Sequence, residues 1–248
     1  MIHKTTGIVI KTVKYGETSL IATIFTELFG MQTYMINGAR KQHAKNAKYI
    51  MLQPGAILDL EVYHNELKNI QRIKECNWKI IYDEVMTDVV KNSIAIYMVE
   101  LLHKLLRQPE PNMDLYYFCE DAFIHLDKCN KKIAANFALF FSLQLPTFLG
   151  FKIQDFQLQN NSIEMLYFDL KEGSFTNDKP LHRNFIEGEL SILTFELLKV
   201  MHPDELDQIK LNKEIRRNLL NAYQLFYSLH LDESIQLRSL KILQEVLE

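Results

Sequence analysis

Five short β-like runs crowd into the first eighty residues of this chain, and beyond Ile80 the apolar period becomes that of a helix. The runs are "TTGIVIKTVKYG", "TSLIATIFTELFG", "MQTYMINGA", "AILDLEVYHN" and the weaker "LKNIQRIKEC". Glycine or Asn-Gly turn signals end the first three. The fourth alternates cleanly, with Leu58, Leu60 and Val62 on one face and Asp59, Glu61 and Tyr63 on the other. Five short strands on so little chain predict a small closed barrel, because closure removes the exposed edges an open sheet would keep.

Helical spacing takes over from about Tyr82 to Arg107, where Val85, Val89, Ile96, Val99 and Leu102 recur until Pro109 and Pro111 intervene. Further helices are expected at 113–128 and 132–145, at 212–230 with Asn212 as N-cap, and at 234–247. Between Phe151 and Leu181 the chain is irregular, and "EMLYFDLKEGSFTNDKP" reads as one or two short strands and a turn. The fold class expected is α+β, with a barrel over 1–80 and a helical domain over 81–248 carrying a small β or loop insertion at about 152–181. The 19-residue uncharged stretch Ile133–Phe151 approaches membrane-spanning length. Asn136, Ser142, Gln144 and Pro146 interrupt it, so it is expected to be a buried core helix ending near Pro146.

The charge is divided along the same line. Residues 1–80 hold 11 Lys+Arg against 6 Asp+Glu, and the remainder holds 17 against 25. Such asymmetry points to a polyanion-binding segment joined to something else. Its focus is "NGARKQHAKNAKYIMLQPG", residues 37–55, with Arg40, Lys41, Lys45 and Lys48 and no acid. The same cluster could also be a solvated loop. Three cysteines with no CxxC argue against a disulfide framework and fit a reducing compartment. Cys119 and Cys129, on expected helices, read as core thiols. The start "MIHKTTGIVIK" lacks a signal-peptide layout, so a cytoplasmic location without membrane attachment is expected. The eight histidines form no HxH or HxxxH pair, and neither metal nor cofactor is expected. The absence of GxxxxGK[ST], GxGxxG and GxSxG disfavours an enzyme of the corresponding classes.

Several motifs in order resemble the RecO family of bacterial recombination mediators. They are "TTGIVIKTVKYGETSLIATIFTELFG", "INGARKQHAKNA" followed by "LQPG", "LPTFLGF" at 145–151, and "RRNLLNAYQLFYSLHL" with "LRSLKIL" over 216–243. The resemblance implies an N-terminal OB-fold and a C-terminal helical domain. It implies binding of single- and double-stranded DNA, annealing of complementary strands, and action with RecR to help load RecA onto DNA covered by single-strand-binding protein. Many family members also carry two CxxC pairs in the insertion as a zinc site. Here "FDLKEGSFTNDKPLH" has no cysteine, and zinc is not carried over.

With the resemblance, Arg40, Lys41, Lys45 and Lys48 become the expected phosphate contacts, since OB-folds bind nucleic acid through inter-strand loops. Lys11 and Lys14 flank the first strand as further DNA candidates. Tyr15, Tyr34 and Tyr63 could stack bases, although aromatics at strand spacing are more often barrel core and only Tyr63 alternates away from it. Arg216, Arg217, Arg238 and Lys241 are candidates for a partner, either a continuing DNA track or capture of the acidic, apolar tail of single-strand-binding protein. Otherwise they are ordinary surface charge. The competing function is an adaptor whose helical half binds protein alone.

Overall fold

A computed structural model describes residues 1–39, 48–151, 153–154 and 166–247, with backbone alone at 48–49. The chain forms two compact units, Met1–Lys128 and Cys129–Glu248.

In the first unit, strands β1 (Ile2–Tyr15), β2 (Ser19–Thr26), β3 (Gly30–Ile36), β4 (Ile57–Tyr63) and β5 (Gln71–Trp78) close in the order β1-β2-β3-β5-β4. The expected barrel is present with its five runs in place. Closure depends on β1, which is long enough to pair with β4 over Ile2–Ile8 and with β2 from Gly7 to Tyr15. Gly7 is paired on both sides, with Thr26 and Leu58. A Cβ there would come within 2.6 Å of the Ile24 side chain, so only glycine lets the strands meet. Inside lie Val9, Leu20, Ile24, Leu58, Leu60 and Val62, each nearly inaccessible to solvent. Each such burial is worth roughly 1.5–3 kcal/mol. Tyr34 shares this interior at 0% exposure, and burial pushes its hydroxyl pKa far up. Of its two readings, base stacking or barrel core, this leaves the second. Strand alternation turns this ring inward, among the apolar side chains.

After a short α1 (Lys48–Met51), helices α2 (Val89–Leu105) and α3 (Met113–Lys128) complete the unit. Phe25, facing out of the barrel, packs on Tyr116 of α3 at 5.7 Å between ring centroids. The backbone of Glu110, between the helices, sits where a Cβ on Gly30 would be, 2.1 Å from its carbonyl oxygen. Helix α2 starts seven residues later than its periodicity suggested. Asp88 caps it by accepting from the Lys91 amide, while the amides of Asp83, Glu84 and Val85 donate to the Asp127 carboxylate. Those residues are held as a turn, outside any helix.

The second unit contains α4 (Lys131–Gln144), α5 (Glu189–Leu198), α6 (Lys213–His230) and α7 (Arg238–Val246). Helix α4 ends in a 3₁₀ turn at Leu145–Phe148 with Pro146 at its start, as the proline predicts. No helix among the described residues is long and apolar enough to cross a membrane. Asn212 caps α6 by accepting from the Ile215 amide at 2.8 Å, as expected. Helix α7 begins at Arg238, not 234, because α6 side chains capture the preceding backbone. Ser228 Oγ accepts from the Ile235 amide and Gln224 Oε1 from the Leu237 amide. Cys119 of the first unit is fully buried, whereas Cys129 is only half-buried.

The insertion forms a three-stranded sheet, β7-β6-β8, from β6 (Tyr167–Asp169), β7 (Ser174–Thr176) and β8 (Phe185–Glu187). Its third strand lies beyond the predicted limit at 181. The sheet docks on α6 through aromatic packing: Phe168 stacks on Phe175 at 4.7 Å and meets Phe226 at 6.1 Å. His230 lies flat against Phe151 at 5.4 Å, and burial lowers its pKa. Asp169 ties the hairpin turn by accepting from the Lys171 and Glu172 amides, and its other oxygen meets His182 Nε2 at 3.1 Å.

Candidate nucleic-acid interface

The two outer faces of the barrel differ in chemistry. On β1, β4 and β5, cross-strand pairing sets Lys4 beside Glu61, Glu61 beside Glu75, and Asp59 beside Asn77. With Glu27 they line a shallow concavity of about 410 Å³. Lys74 donates to Glu61 at 2.7 Å, and that hydrogen bond is the main reason the Glu61 carboxyl titrates below its ordinary range. Glu27 accepts from the hydroxyls of Thr6 and Tyr117. Four carboxylates against Lys4 and Lys74 leave this face net acidic.

The face across β2 and β3 carries no acid on either strand. Lys11 is exposed and pairs with Thr23, which pairs with Thr33. Beyond it on the same side of β1 comes Tyr15, 52% exposed at the β1–β2 turn. Lys14 is also exposed but alternates to the other side of the strand, opposite Leu20. Lys11 and Lys14 are thus both accessible near this turn without sharing a side.

A third feature is the loop between β4 and β5, residues 64–70. With Met1, His3, Phe29, Met35, Tyr63 and Arg72 it lines a concavity of about 1060 Å³. At its base Phe29 and His64 stack 3.9 Å apart, and His3 meets Phe29 edge-on at 5.3 Å. Burial is the main reason His64 titrates below its ordinary value, with His3 adding to it. The loop is pinned by Gln71, 3% exposed. Its amide nitrogen donates to the carbonyls of Asn65 and Lys68 at 2.8 and 2.6 Å, and its oxygen accepts from the Asn65 amide at 3.0 Å. Sequence reasoning passed over Gln71, Lys68 and Arg72. A glutamine opening a strand shows in sequence only its polarity, and its loop contacts are a product of the fold. Tyr63 is 48% exposed and faces away from the barrel interior, as its alternation predicted.

Of the expected phosphate contacts, Arg40, Lys41 and Lys45 lie outside the described residues. Lys48 opens α1, and its side chain also lies outside them.

In the second unit, Arg217, Arg238 and Lys241 come together. They line a groove of about 710 Å³ between α6 and α7, floored by Leu237 and Leu240 and edged by Asn221, Gln224, Gln244 and one acid, Glu245. Arg216 is absent from this lining. Its side chain folds back so that Nη1 donates to the Leu211 carbonyl at 2.6 Å, and burial lowers its pKa. Helical geometry explains the separation, since adjacent residues point about 100° apart. Tyr223 and Tyr227 pack inward, and the Tyr227 hydroxyl donates to the Ser142 carbonyl at 2.6 Å.

Comparison with known proteins covers the chain almost end to end. A family model described as Recombination protein O N terminal matches residues 1–82, and one described as Recombination protein O C terminal matches residues 86–241. A DNA repair protein RecO of Flavobacterium psychrophilum is 32% identical over 243 residues, 98% of each chain. One of Bacteroides fragilis is 29% identical over 251 residues, all of both chains, and one of Flavobacterium johnsoniae is 30% identical over 249 residues.

Proposed function

Because this chain belongs to the RecO family of DNA repair and recombination proteins, we propose that it acts as a DNA-binding recombination mediator. In this role it binds single- and double-stranded DNA, anneals complementary strands and, with RecR, helps load RecA onto strands covered by single-strand-binding protein. The work is done at the bacterial nucleoid in the cytoplasm. No bond is made or broken by the protein itself.

The observation that supports this most is the two-sidedness of the barrel. One outer face carries Glu27, Asp59, Glu61 and Glu75 and repels a polyanion. The other offers exposed Lys11 and Tyr15 beside a pinned loop bearing Lys68 and Glu66, on the strands and loops OB-folds use for nucleic acid. Arg40, Lys41, Lys45 and Lys48 then add cations from the segment joining β3 to β4. Cations spaced along a flexible polyanion contact phosphates without reading sequence. Annealing follows from the same chemistry, because neutralised strands no longer repel each other.

Fluorescence anisotropy of labelled single-stranded DNA across a salt series tests this. If about four phosphates are neutralised, log K should fall against log salt with a slope of roughly −3. The folded variant Arg40→Ala/Lys41→Ala/Lys45→Ala/Lys48→Ala should lose most of that slope and much of the affinity. A native chain that ignores DNA at low salt would transfer the function to the adaptor alternative.

The groove between α6 and α7 suits the acidic, apolar tail of single-strand-binding protein, with Arg217, Arg238 and Lys241 as its cationic rim and Leu237 and Leu240 as its floor. Arg217→Ala/Arg238→Ala/Lys241→Ala should weaken capture of such a peptide at least about tenfold, as removal of several rim charges implies. DNA affinity should stay within about twofold, as for sites that do not interact. Unchanged peptide binding would remove the groove from the proposal.

A further inference from the structure

The barrel carries an uncovered row of side chains that none of the contacts above uses. Strand registers set Val13 beside Ile21, Ile21 beside Met35, Met35 beside Arg72, Arg72 beside Tyr63, and Tyr63 beside Ile2. Residues paired this way share a face, and none of the six belongs to the interior cluster. The row therefore runs round the outside of the barrel as a belt, apolar or aromatic except for one guanidinium. Val13 is 42% exposed, Tyr63 48% and Ile2 49%. A continuous apolar surface of this kind marks a binding face.

We infer that the belt, centred on Tyr63, Arg72 and Met35, is a platform for the unstacked bases of a single strand. It rests on the DNA-binding function proposed above and adds to it the means of telling single strands from duplex. Duplex bases are stacked inside the helix and reach a protein only by their edges, so an apolar belt gains nothing from them. A single strand offers its base faces, and aromatic rings and guanidinium planes accept them whatever the sequence.

Charge selects the occupant. Lys11 stands in the next row, Lys68 on the pinned loop and Arg72 within the belt itself. Against them stand Glu66 on that loop and Glu61, which shares the Tyr63 face of β4 and is paired with Lys4 and Lys74. Glu27, Asp59 and Glu75 line the acidic concavity. A nucleic acid backbone laid beside the belt meets an excess of cations and is turned away from the acidic concavity. Gln71 makes the platform pre-built: its three hydrogen bonds to the 65–68 backbone hold Leu67, 93% exposed, beside Tyr63 and Arg72 without any ligand.

The test uses the full chain with three equal-length probes: oligothymidylate, a strand of abasic sites, and a duplex. The native protein should bind oligothymidylate about tenfold or more tightly than the abasic strand, which keeps every phosphate and lacks every base. Tyr63→Ala/Met35→Ala should lose that preference, falling about tenfold for oligothymidylate only. Its affinity for the abasic strand and the duplex, and its salt slope, should match the native chain. Equal native binding of the thymidylate and abasic strands overturns the inference, as does a folded variant that keeps the native preference. Because the abasic comparison needs no substitution, it decides the matter even if the variant does not fold. A native chain that binds none of the probes sinks the proposed function itself, a different result from binding all strands through phosphates alone.

Discussion

Asp127→Ala is expected to destabilise the first unit by about 3–5 kcal/mol, because it leaves three backbone amides without their acceptor. Asp127, near the end of α3, is 5% exposed and accepts from three backbone amides, those of Asp83, Glu84 and Val85, at 2.9–3.0 Å. Beside it Lys91, also almost fully buried, donates to the Asp127 carbonyl at 2.7 Å and to Glu84 at 2.6 Å. Truncation orphans three amides, including that of buried Val85, and removes the carboxylate charge from the neighbourhood of the Lys91 ammonium, which keeps its bonds to the Asp127 backbone carbonyl and to Glu84. Each buried group left unpaired costs about 1–3 kcal/mol. Denaturant unfolding followed through Trp78, the single tryptophan and a residue of this unit, measures the effect. A loss below about 1 kcal/mol, the scale of an ordinary surface contact, would show that the turn does not depend on this carboxylate.

The same residue gives the unit an acid limit. Burial alone would raise the Asp127 pKa, but the amide hydrogen bonds and Lys91 outweigh it and hold the value below the ordinary one. A carboxyl with a lowered folded pKa contributes stability that is fully present above its unfolded value of about 3.9. That contribution disappears as pH falls through the lower folded value. Asp127→Ala should therefore flatten the acid side of the stability curve. An unchanged acid limb would count against this assignment.

Phe226→Ala is expected to cost the second unit about 3–5 kcal/mol, the usual range for a buried phenylalanine. The ring is 2% exposed and sits among Phe151, Phe168, Tyr227 and His230, with centroid distances from 4.2 to 6.1 Å. Gly173, in the β6–β7 turn, approaches so closely that a Cβ there would lie 3.5 Å from both Phe226 and His230. The cavity left by alanine would open under the insertion sheet. Hydrogen exchange should accelerate first at the amides of β6 and β7, with α4 following only near global unfolding. Unchanged protection of the Phe168 and Phe175 amides would mean that the sheet is held by its own strand pairing and the Asp169 turn.

Much of this architecture was legible in the sequence. Period-two alternation and turn glycines located all five barrel strands, and Asn212, Pro146 and the apolar stripes located most helices. These signals are local: a strand's alternation, a cap or a proline acts within a few residues of itself. Where a boundary was misread, a distant side chain had intervened. The carboxylate of Asp127 holds 83–85 out of α2, and Gln224 and Ser228 delay α7. Tyr34 stayed between base stacking and barrel core for a related reason, since alternation identifies two faces but does not always say which one the barrel encloses.

The fold class, the concentration of cations in residues 37–55 and the family follow from which residues occur and in what order. Which separated residues meet depends on the folded chain. It brought Arg217, Arg238 and Lys241 to one groove and turned Arg216 away. It gathered the acids of β4 and β5 on one face, and it joined Val13, Ile21, Met35, Arg72, Tyr63 and Ile2 into one belt. In the barrel, strand register enforces this: a shift of one residue would send every outward side chain inward, and the buried face permits a single solution.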